Sequence, residues 1–365
     1  MPALNDIRVL VAAGGTGGHI TPSLAVADEL AARGADVTFV TTPSQVEHVA
    51  ERYPAWALEM RGFDRRLLAR RNAVTLWRLA AAAPRSWAIV SAVRPQVAVG
   101  GGGYLSGPVV AAAALRRVPA LAIESDAHLG VTNRLLAPLV DRVCLSFPID
   151  GREPPRFVVT GRPLSAAQLA ADAATGRAVF GLTEALPVVL VFGGSQGAQS
   201  LNRACLEAFA GTALDVQVVH VCGPRHFDEL QAALAARGTD VERYRLLPYT
   251  EDLAHAMAAA DLVVGRAGGS VAEIAALGRP AILVPYPHAT ADHQSKNAAL
   301  MAAAGAAVVI ADADLDGRLL GRLVGELLGD RPRLARMAAA SRAAGRPDAT
   351  RRVADEVESL LVGRR

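Results

Sequence analysis

Four glycine-rich segments carry the first chemical signal in this chain. Gly14-Gly15-Thr16-Gly17-Gly18-His19, Gly100-Gly101-Gly102-Gly103-Tyr104-Leu105-Ser106-Gly107, Gly193-Gly194-Ser195-Gln196-Gly197 and Gly265-Arg266-Ala267-Gly268-Gly269-Ser270 each follow an apolar run of strand length. Without side chains, such loops let backbone N–H groups approach a ligand closely, and a helix opening behind them adds its positive end, so an anion such as a diphosphate suits them. Any one of them would read equally well as a tight strand-to-helix turn with no ligand. Together they lie where open α/β sheets hold ligands, at the carboxyl ends of strands, and two domains facing each other with such edges would form a deep cleft. The first is not a dinucleotide fingerprint. Ile20 stands where the last glycine belongs, and the second strand ends Thr41-Thr42 with no acid for a ribose.

Polar side chains cluster behind the later loops. Glu273 sits just inside the helix that Gly269-Ser270 opens, where it is either a helix-start acid or the acceptor of both hydroxyls of a ribose. His288, Asp292, His293, Gln294 and Asn297 crowd together after an apolar strand, as a sugar-hydroxyl site or as a solvated loop and helix cap. His288 and His293 lack the spacing of a helical zinc pair. Asp312, Asp314 and Asp316 precede a helical run and read as capping and first-turn charge, so the expectation is no metal and no cofactor, with helix termini stabilising a diphosphate leaving group. Gly193-Gly194-Ser195-Gln196-Gly197 matches a nucleophile elbow only superficially, and no glycosidase carboxylate pair can be assigned.

The elements that must position these groups alternate between strand-like and helical patterns, which implies parallel sheets covered on both faces. Strands are expected at residues 8–13, 36–41, 97–100, 120–123, 142–145 and 157–160, then at 187–192, 216–221, 244–247, 262–264, 281–284 and 307–310. A helix is expected from Ser23 to Arg33. The two strand sets open alike, Val9 to Gly18 in one and Val188 to Gly197 in the other, a domain-scale repeat. The fold expected is α/β with two doubly wound Rossmann-like domains. Residues 1–162 would form the first, 163–345 the second, with the linker near Gly161-Arg162-Pro163. Residues 346–365 would add a helix, apolar at Val353, Val357, Leu360 and Leu361, that packs back on the first domain.

Composition sets the class. The 365 residues are 52% hydrophobic and 20% charged, enough apolar surface for two cores, and the low aromatic share of 4% leaves Ala, Val and Leu to build them. The net charge is +3 and Lys296 is the sole lysine, with no basic tract interleaved with stacking aromatics, so no nucleic-acid partner is expected. Cys144, Cys205 and Cys222 are scattered and odd in number, which suits a reducing compartment better than a disulfide framework or zinc site. The N-terminus lacks the apolar region of a signal peptide, and residues 74–93 are interrupted by Arg78, Pro84 and Arg85, so no bilayer span is expected.

In order along the chain, Gly15-Thr16-Gly17-Gly18-His19, Gly101-Gly102-Gly103-Tyr104, Gly193-Gly194-Ser195-Gln196-Gly197-Ala198, Gly268-Gly269-Ser270-Val271-Ala272-Glu273 and Asp292-His293-Gln294 with Asn297-Ala298 resemble the signatures of the MurG family of bacterial peptidoglycan glycosyltransferases. The resemblance spans essentially the whole chain. It implies the GT-B architecture and inverting transfer of N-acetylglucosamine from UDP-N-acetylglucosamine to lipid I, the muramyl-peptide on undecaprenyl diphosphate. It also implies a donor site in the second domain and an acceptor site in the first, at the cytoplasmic face of the inner membrane. Carried over by residue, Ser195, Gln196 and the neighbouring glycines would meet the diphosphate, and Gly268, Gly269, Ser270 and Glu273 the ribose side. Gln294 and Asn297 would serve the donor sugar, Thr250 the uracil through its backbone, and Thr16, Gly17, Gly18 and His19 the reacting sugars. Three departures stand out, one of them a ribose loop one residue shorter than the family's. Ile123-Glu124-Ser125-Asp126 replaces His-Glu-Gln-Asn, placing Asp126 where an Asn meets the donor sugar, and Gly161-Arg162-Pro163-Leu164-Ser165 replaces Gly-Asn-Pro-Val-Arg, which displaces the arginine to Arg162.

Inverting transfer needs a base for the proton of the attacking hydroxyl. His19 is the candidate, because imidazole is available in its neutral form near pH 7, with Glu124 orienting it or the acceptor. Alternatives from other classes are a glycosyltransferase acting on a soluble acceptor, a sugar-nucleotide epimerase and a non-catalytic sugar-nucleotide-binding module. Arg61, Arg65, Arg66, Arg70, Arg71 and Arg78, interleaved with Phe63, Leu67, Leu68, Leu76, Trp77 and Leu79, suit an anionic membrane surface, although the apolar members would serve equally as core.

Overall fold

The structure, a computed structural model, describes residues 4–14, 17–60, 70–194, 196–211 and 215–362. The chain divides into two compact units, Met1–Ser165 with Pro347–Arg365, and Ala166–Arg346.

The first unit is built on a seven-stranded parallel sheet of β1 (Arg8–Ala12), β2 (Asp36–Thr41), β3 (Ala55–Ala57), β4 (Val97–Gly100), β5 (Ala120–Glu124), β6 (Arg142–Leu145) and β7 (Phe157–Val159), ordered β3-β2-β1-β4-β5-β6-β7. Small and branched residues such as Val9, Leu10, Val99 and Leu121 are fully buried, as strands covered on both faces require. One core lies on each side of the sheet, one around Leu105, Val109 and Ala122, the other around Leu24, Leu30 and Phe39. The chain order reverses between β1 and β4, the kind of switch point at which open α/β sheets hold ligands.

The second unit repeats the plan with six parallel strands, β8 (Val188–Phe192), β9 (Gln217–Val221), β10 (Tyr244–Leu247), β11 (Leu262–Gly265), β12 (Ala281–Leu283) and β13 (Ala307–Val309), ordered β10-β9-β8-β11-β12-β13. Its switch point lies between β8 and β11. In both units the two strands flanking the switch point are the ones that end in glycine loops.

The strands follow the sequence reading to within a residue or so at each end, with β3 as an unexpected edge strand. The first helix differs more, running Gly17–Ala32 rather than starting at Ser23, so that Pro22 lies inside it. The last helix, Ala349–Val362, buries Val353, Val357 and Leu360 in the first unit against the helix Gly17–Ala32. Arg33 pins the two together, pairing with Glu29, Asp355 and Glu358 at 2.7 to 2.9 Å.

Candidate active site

In the first unit, the His19 ring packs on the loop after β4. Gly102 and Gly103 both have positive φ (88° and 73°), open to glycine at little cost. A Cβ on Gly102 would lie 2.9 Å from His19 Nδ1, and one on Gly103 2.7 Å from the Gly14 carbonyl. The imidazole therefore rests directly on main chain. Gly101 is as restricted, since its Cβ would fall 1.7 Å from Ser23 Oγ, which donates to the His19 carbonyl at 2.8 Å. Burial lowers the His19 pKa below its ordinary 6.5, and the Arg162 charge lowers it further, against smaller opposing effects from Asp126 and the Gly101 backbone. Its Nδ1 is buried and makes no hydrogen bond of good geometry among the described residues. A neutral imidazole anchored through its buried Nδ1 side keeps Nε2 as the ring nitrogen that can accept a proton.

Glu124, at the end of β5, is almost fully buried, and its carboxylate turns into its own loop. One oxygen accepts from the Gly130 N–H at 2.8 Å and Asn133 Nδ2 at 2.9 Å, the other from the Asp126 N–H at 3.3 Å. Burial raises its pKa, the Gly130 and Asn133 donors oppose that, and the Asp126 charge adds to it. Its geometry is that of a loop organiser that holds Asp126 and the start of the helix Val131–Leu136. Asp126, half-buried, is close enough to His19 to favour its charged form. Arg162 is buried and donates to the Gly18 carbonyl at 2.6 Å and the Ser125 carbonyl at 3.4 Å. The structure thus brings Gly18, His19, Asp126 and Arg162 together. Gly17 opens the helix, and Thr16 lies outside the described residues.

In the second unit, Gly193 and Gly197 close the loop after β8 so tightly that a Cβ on either would strike backbone, 2.4 Å from the Ala198 nitrogen and 2.0 Å from the Cys222 carbonyl. Gln196 is exposed beside them, and Ser195 lies outside the described residues. The helix Gln199–Phe209 follows with no side-chain cap. The loop after β11 is held from behind by Asn297, fully buried, whose Nδ2 donates to the Ala267 carbonyl at 3.0 Å. Gln294 accepts from the Tyr286 N–H at 2.9 Å and extends its Nε2 toward Gly268. Ser270 stands at the N-cap position of the helix Val271–Ala276 without a side-chain capping bond, and Glu273, half-buried, stands in its first turn. Gly268, Gly269, Ser270, Glu273, Gln294 and Asn297 therefore share one locus. Thr250 lies after β10, three strands away from β11 in the sheet, and its hydroxyl accepts from the Asp252 N–H at 3.0 Å.

Two residues escaped the sequence reading. Arg266, within the β11 loop, donates to Asp312 at 2.6 Å, to Ser200 Oγ at 2.9 Å and to the Val284 and Pro285 carbonyls, with its guanidinium over the Tyr286 ring. Asp312 is accordingly an ion-pair partner rather than a cap. Of the aspartate string, Asp316 does the capping, accepting from the Leu319 N–H at 2.6 Å. The buried Arg266 in a glycine loop, with an acid after β13, was the available signal. Asn133 was the other omission, a polar residue on a short apolar helix. Among the described residues, no three His, Cys, Asp or Glu side chains are grouped to hold a metal ion.

Two Rossmann-like units with paired glycine loops at each switch point are the components of a GT-B glycosyltransferase. Models of the glycosyltransferase family 28 N-terminal and C-terminal domains match residues 9–145 and 188–353, and the chain belongs to that family. Within it the chain falls in the MurG group. The UDP-N-acetylglucosamine--N-acetylmuramyl-(pentapeptide) pyrophosphoryl-undecaprenol N-acetylglucosamine transferase of Moorella thermoacetica is 41% identical over 94% of this chain and 96% of its own length. That of Halorhodospira halophila is 42% identical over 97% and 99%. The crystal structure of Acinetobacter baumannii MurG superposes with a TM-score of 0.76 at 28% identity, covering 97% of this chain and 99% of that one.

Proposed function

We propose that this glycosyltransferase moves N-acetylglucosamine from UDP-N-acetylglucosamine to a muramyl-peptide carried on undecaprenyl diphosphate, inverting the anomeric centre and releasing UDP. The observation that carries the reading is the His19 imidazole held on the Gly102–Gly103 backbone at the first switch point, where burial lowers its pKa, in a chain whose relatives bear that activity in their names. The first unit receives the acceptor. As an acceptor hydroxyl oxygen bonds to the anomeric carbon, His19 takes its proton, and the carbon–oxygen bond to the diphosphate breaks with its electron pair leaving on UDP. The second unit holds the donor. The backbone of the β8 loop and the uncapped start of the helix Gln199–Phe209 suit the diphosphate, Glu273 the ribose hydroxyls, and Gln294 the sugar, while Asn297 keeps the β11 loop in place.

The undecaprenyl chain of such an acceptor stays in the bilayer, so the enzyme is assigned to the cytoplasmic face of the membrane as a peripheral protein. No helix among the described residues is long and apolar enough to cross a membrane. The basic and apolar segment 61–69 lies outside the described residues, as do the side chains of 70–81. Nearby in the first unit, Trp87, Leu115, Val131, Leu135 and Leu139 are exposed on three neighbouring helices and the turn after the last, with Arg116 stacked 4.8 Å over Trp87, a mixture that supports interfacial binding.

The deciding assay is UDP release from UDP-N-acetylglucosamine with and without a lipid I analogue. Release that requires the analogue and yields a disaccharide product is expected. Equal release without it, or transfer to soluble acceptors only, rejects the reading.

A further inference from the structure

The helix Gly17–Ala32 carries a defect at the turn that presents His19. In a regular helix the Gly18 carbonyl accepts from the N–H four residues on, but that residue is Pro22, which has no N–H and whose ring crowds the same carbonyl. The missing donor comes from a distant part of the chain. Arg162 Nη2 donates to the Gly18 oxygen at 2.6 Å, and Nη1 reaches the Ser125 carbonyl at 3.4 Å. Arg162 follows β7, is only 7% exposed, and so ties the first turn of the helix to the loop leaving β5.

We propose that Arg162 is a positioning residue for His19, replacing the hydrogen bond that Pro22 removes and so fixing the turn that sets the imidazole against Gly102 and Gly103. The inference rests on the reading of His19 as the base. A carbonyl stripped of its helical partner and crowded by a proline ring would otherwise tilt outward, and the His19 backbone is the next peptide along. The guanidinium fork suits the task because it reaches two carbonyls at once, which an ammonium cannot do with fixed geometry. The charges that face His19 are Arg162 from the β7 side and Asp126 from the β5 side, with the Gly101 backbone after β4. Arg162 therefore also biases the ring toward its neutral, proton-accepting form.

The test uses the full-length protein as Arg162→Gln, Arg162→Lys, Pro22→Ala and the Arg162→Gln/Pro22→Ala double variant, with UDP affinity as a check on folding. Arg162→Gln is expected to lower kcat by about tenfold or more while UDP binding stays within about twofold, the pattern of a lost charged hydrogen bond that positions the base and does not hold the nucleotide. Adding Pro22→Ala restores much of that loss, because an alanine in place of the proline supplies the N–H that can bond the Gly18 carbonyl. The acid limb of kcat/KM moves to higher pH in Arg162→Gln and stays near the wild-type position in Arg162→Lys, although kcat falls in both. Wild-type kcat in a folded Arg162→Gln, or no rescue by Pro22→Ala, overturns the inference. Failure of the base reading looks different. A His19→Gln variant with wild-type kcat would remove the base, yet Arg162 and Pro22 would still show non-additive melting temperatures; additive ones overturn the Arg162–Gly18 contact itself.

Discussion

Arg266 and Asp312 form a 2.6 Å ion pair that joins the loop after β11 to the turn after β13, with Ser200 at the start of the β8 helix bonded to both. Three segments are thus fixed to a single guanidinium. Burial alone would raise the Asp312 pKa, but the Ser200 hydroxyl and Arg266 together hold it below the ordinary carboxylate value. Because the folded value is the lower one, the pair contributes stability above about pH 4 and loses it as pH falls further. Asp312→Asn should destabilise the second unit by about 2–4 kcal/mol, since it leaves a mostly buried arginine unpaired, and should weaken UDP binding. Thermal denaturation at pH 7 and UDP calorimetry check this; an unchanged melting temperature would reject it.

Glu124 is expected to matter through its loop. A glutamine there must turn its NH2 toward donors, either Asn133 Nδ2 and the Gly130 N–H or the Asp126 N–H, so Glu124→Gln should cost about 1–3 kcal/mol of stability. If Glu124 acts only by holding Asp126 and the following helix, the variant loses kcat while its pH profile keeps the wild-type shape. A profile that loses a limb would instead place Glu124 among the proton-transfer groups.

Glu273 separates a ribose ligand from a helix-start acid. Glu273→Ala should weaken UDP by about 1.5–3 kcal/mol if the carboxylate accepts the ribose hydroxyls. An unchanged dissociation constant, with only a few tenths of a kcal/mol lost from stability, leaves the helix-dipole role alone.

What the sequence could convey was whatever is local in it. The strands were legible because buried parallel strands read as runs such as Val188–Phe192 with glycine behind them, and the glycine loops announced the switch points. Strand β3 was not, because Ala55-Trp56-Ala57 is a three-residue edge with Trp56 half-exposed and no apolar run to mark it. The start of the first helix was hidden by Pro22, which reads as a helix opening but lies inside, tolerated because the carbonyl it leaves without a donor, that of Gly18, has another. Arg162 and Gly18 are 144 residues apart, Arg266 and Asp312 46, and no periodicity encodes such partners. The carry-over of site residues by motif therefore identified positions near the loops without revealing that Glu124 and Asn297 point into the protein to support them.

Membrane attachment should be electrostatic and superficial. Co-sedimentation with anionic liposomes is expected at low salt and should fall as salt rises, each arginine near the surface contributing on the order of 1 kcal/mol. Leu135→Ser with Leu139→Ser, exposed on the helix Val131–Leu136 and the turn after it, should weaken the remaining salt-resistant binding. Wild-type protein that ignores anionic liposomes at low salt would reject the assignment.

The pH dependence of turnover is the most direct test of His19 as the base. Its folded pKa lies below the ordinary 6.5 because burial and Arg162 disfavour the charged ring. Below pH 6.5 the unfolded chain therefore binds the proton more readily than the folded one, so the contribution of His19 to stability is intact above 6.5 and declines as pH falls through that value. The same shift keeps the base in its active form in mildly acidic solution, and the acid limb of kcat/KM is expected below pH 6.5. Asp126 acts in the opposite sense, so Asp126→Asn should move the limb to still lower pH, whereas removing the Arg162 charge moves it up. The two displacements in opposite directions, read from kcat/KM between pH 4.5 and 8 in variants that bind UDP normally, are what a base between those two charges requires. A limb that stays put in both variants, or lies above 6.5 in the wild type, would mean that the titrating group is not His19.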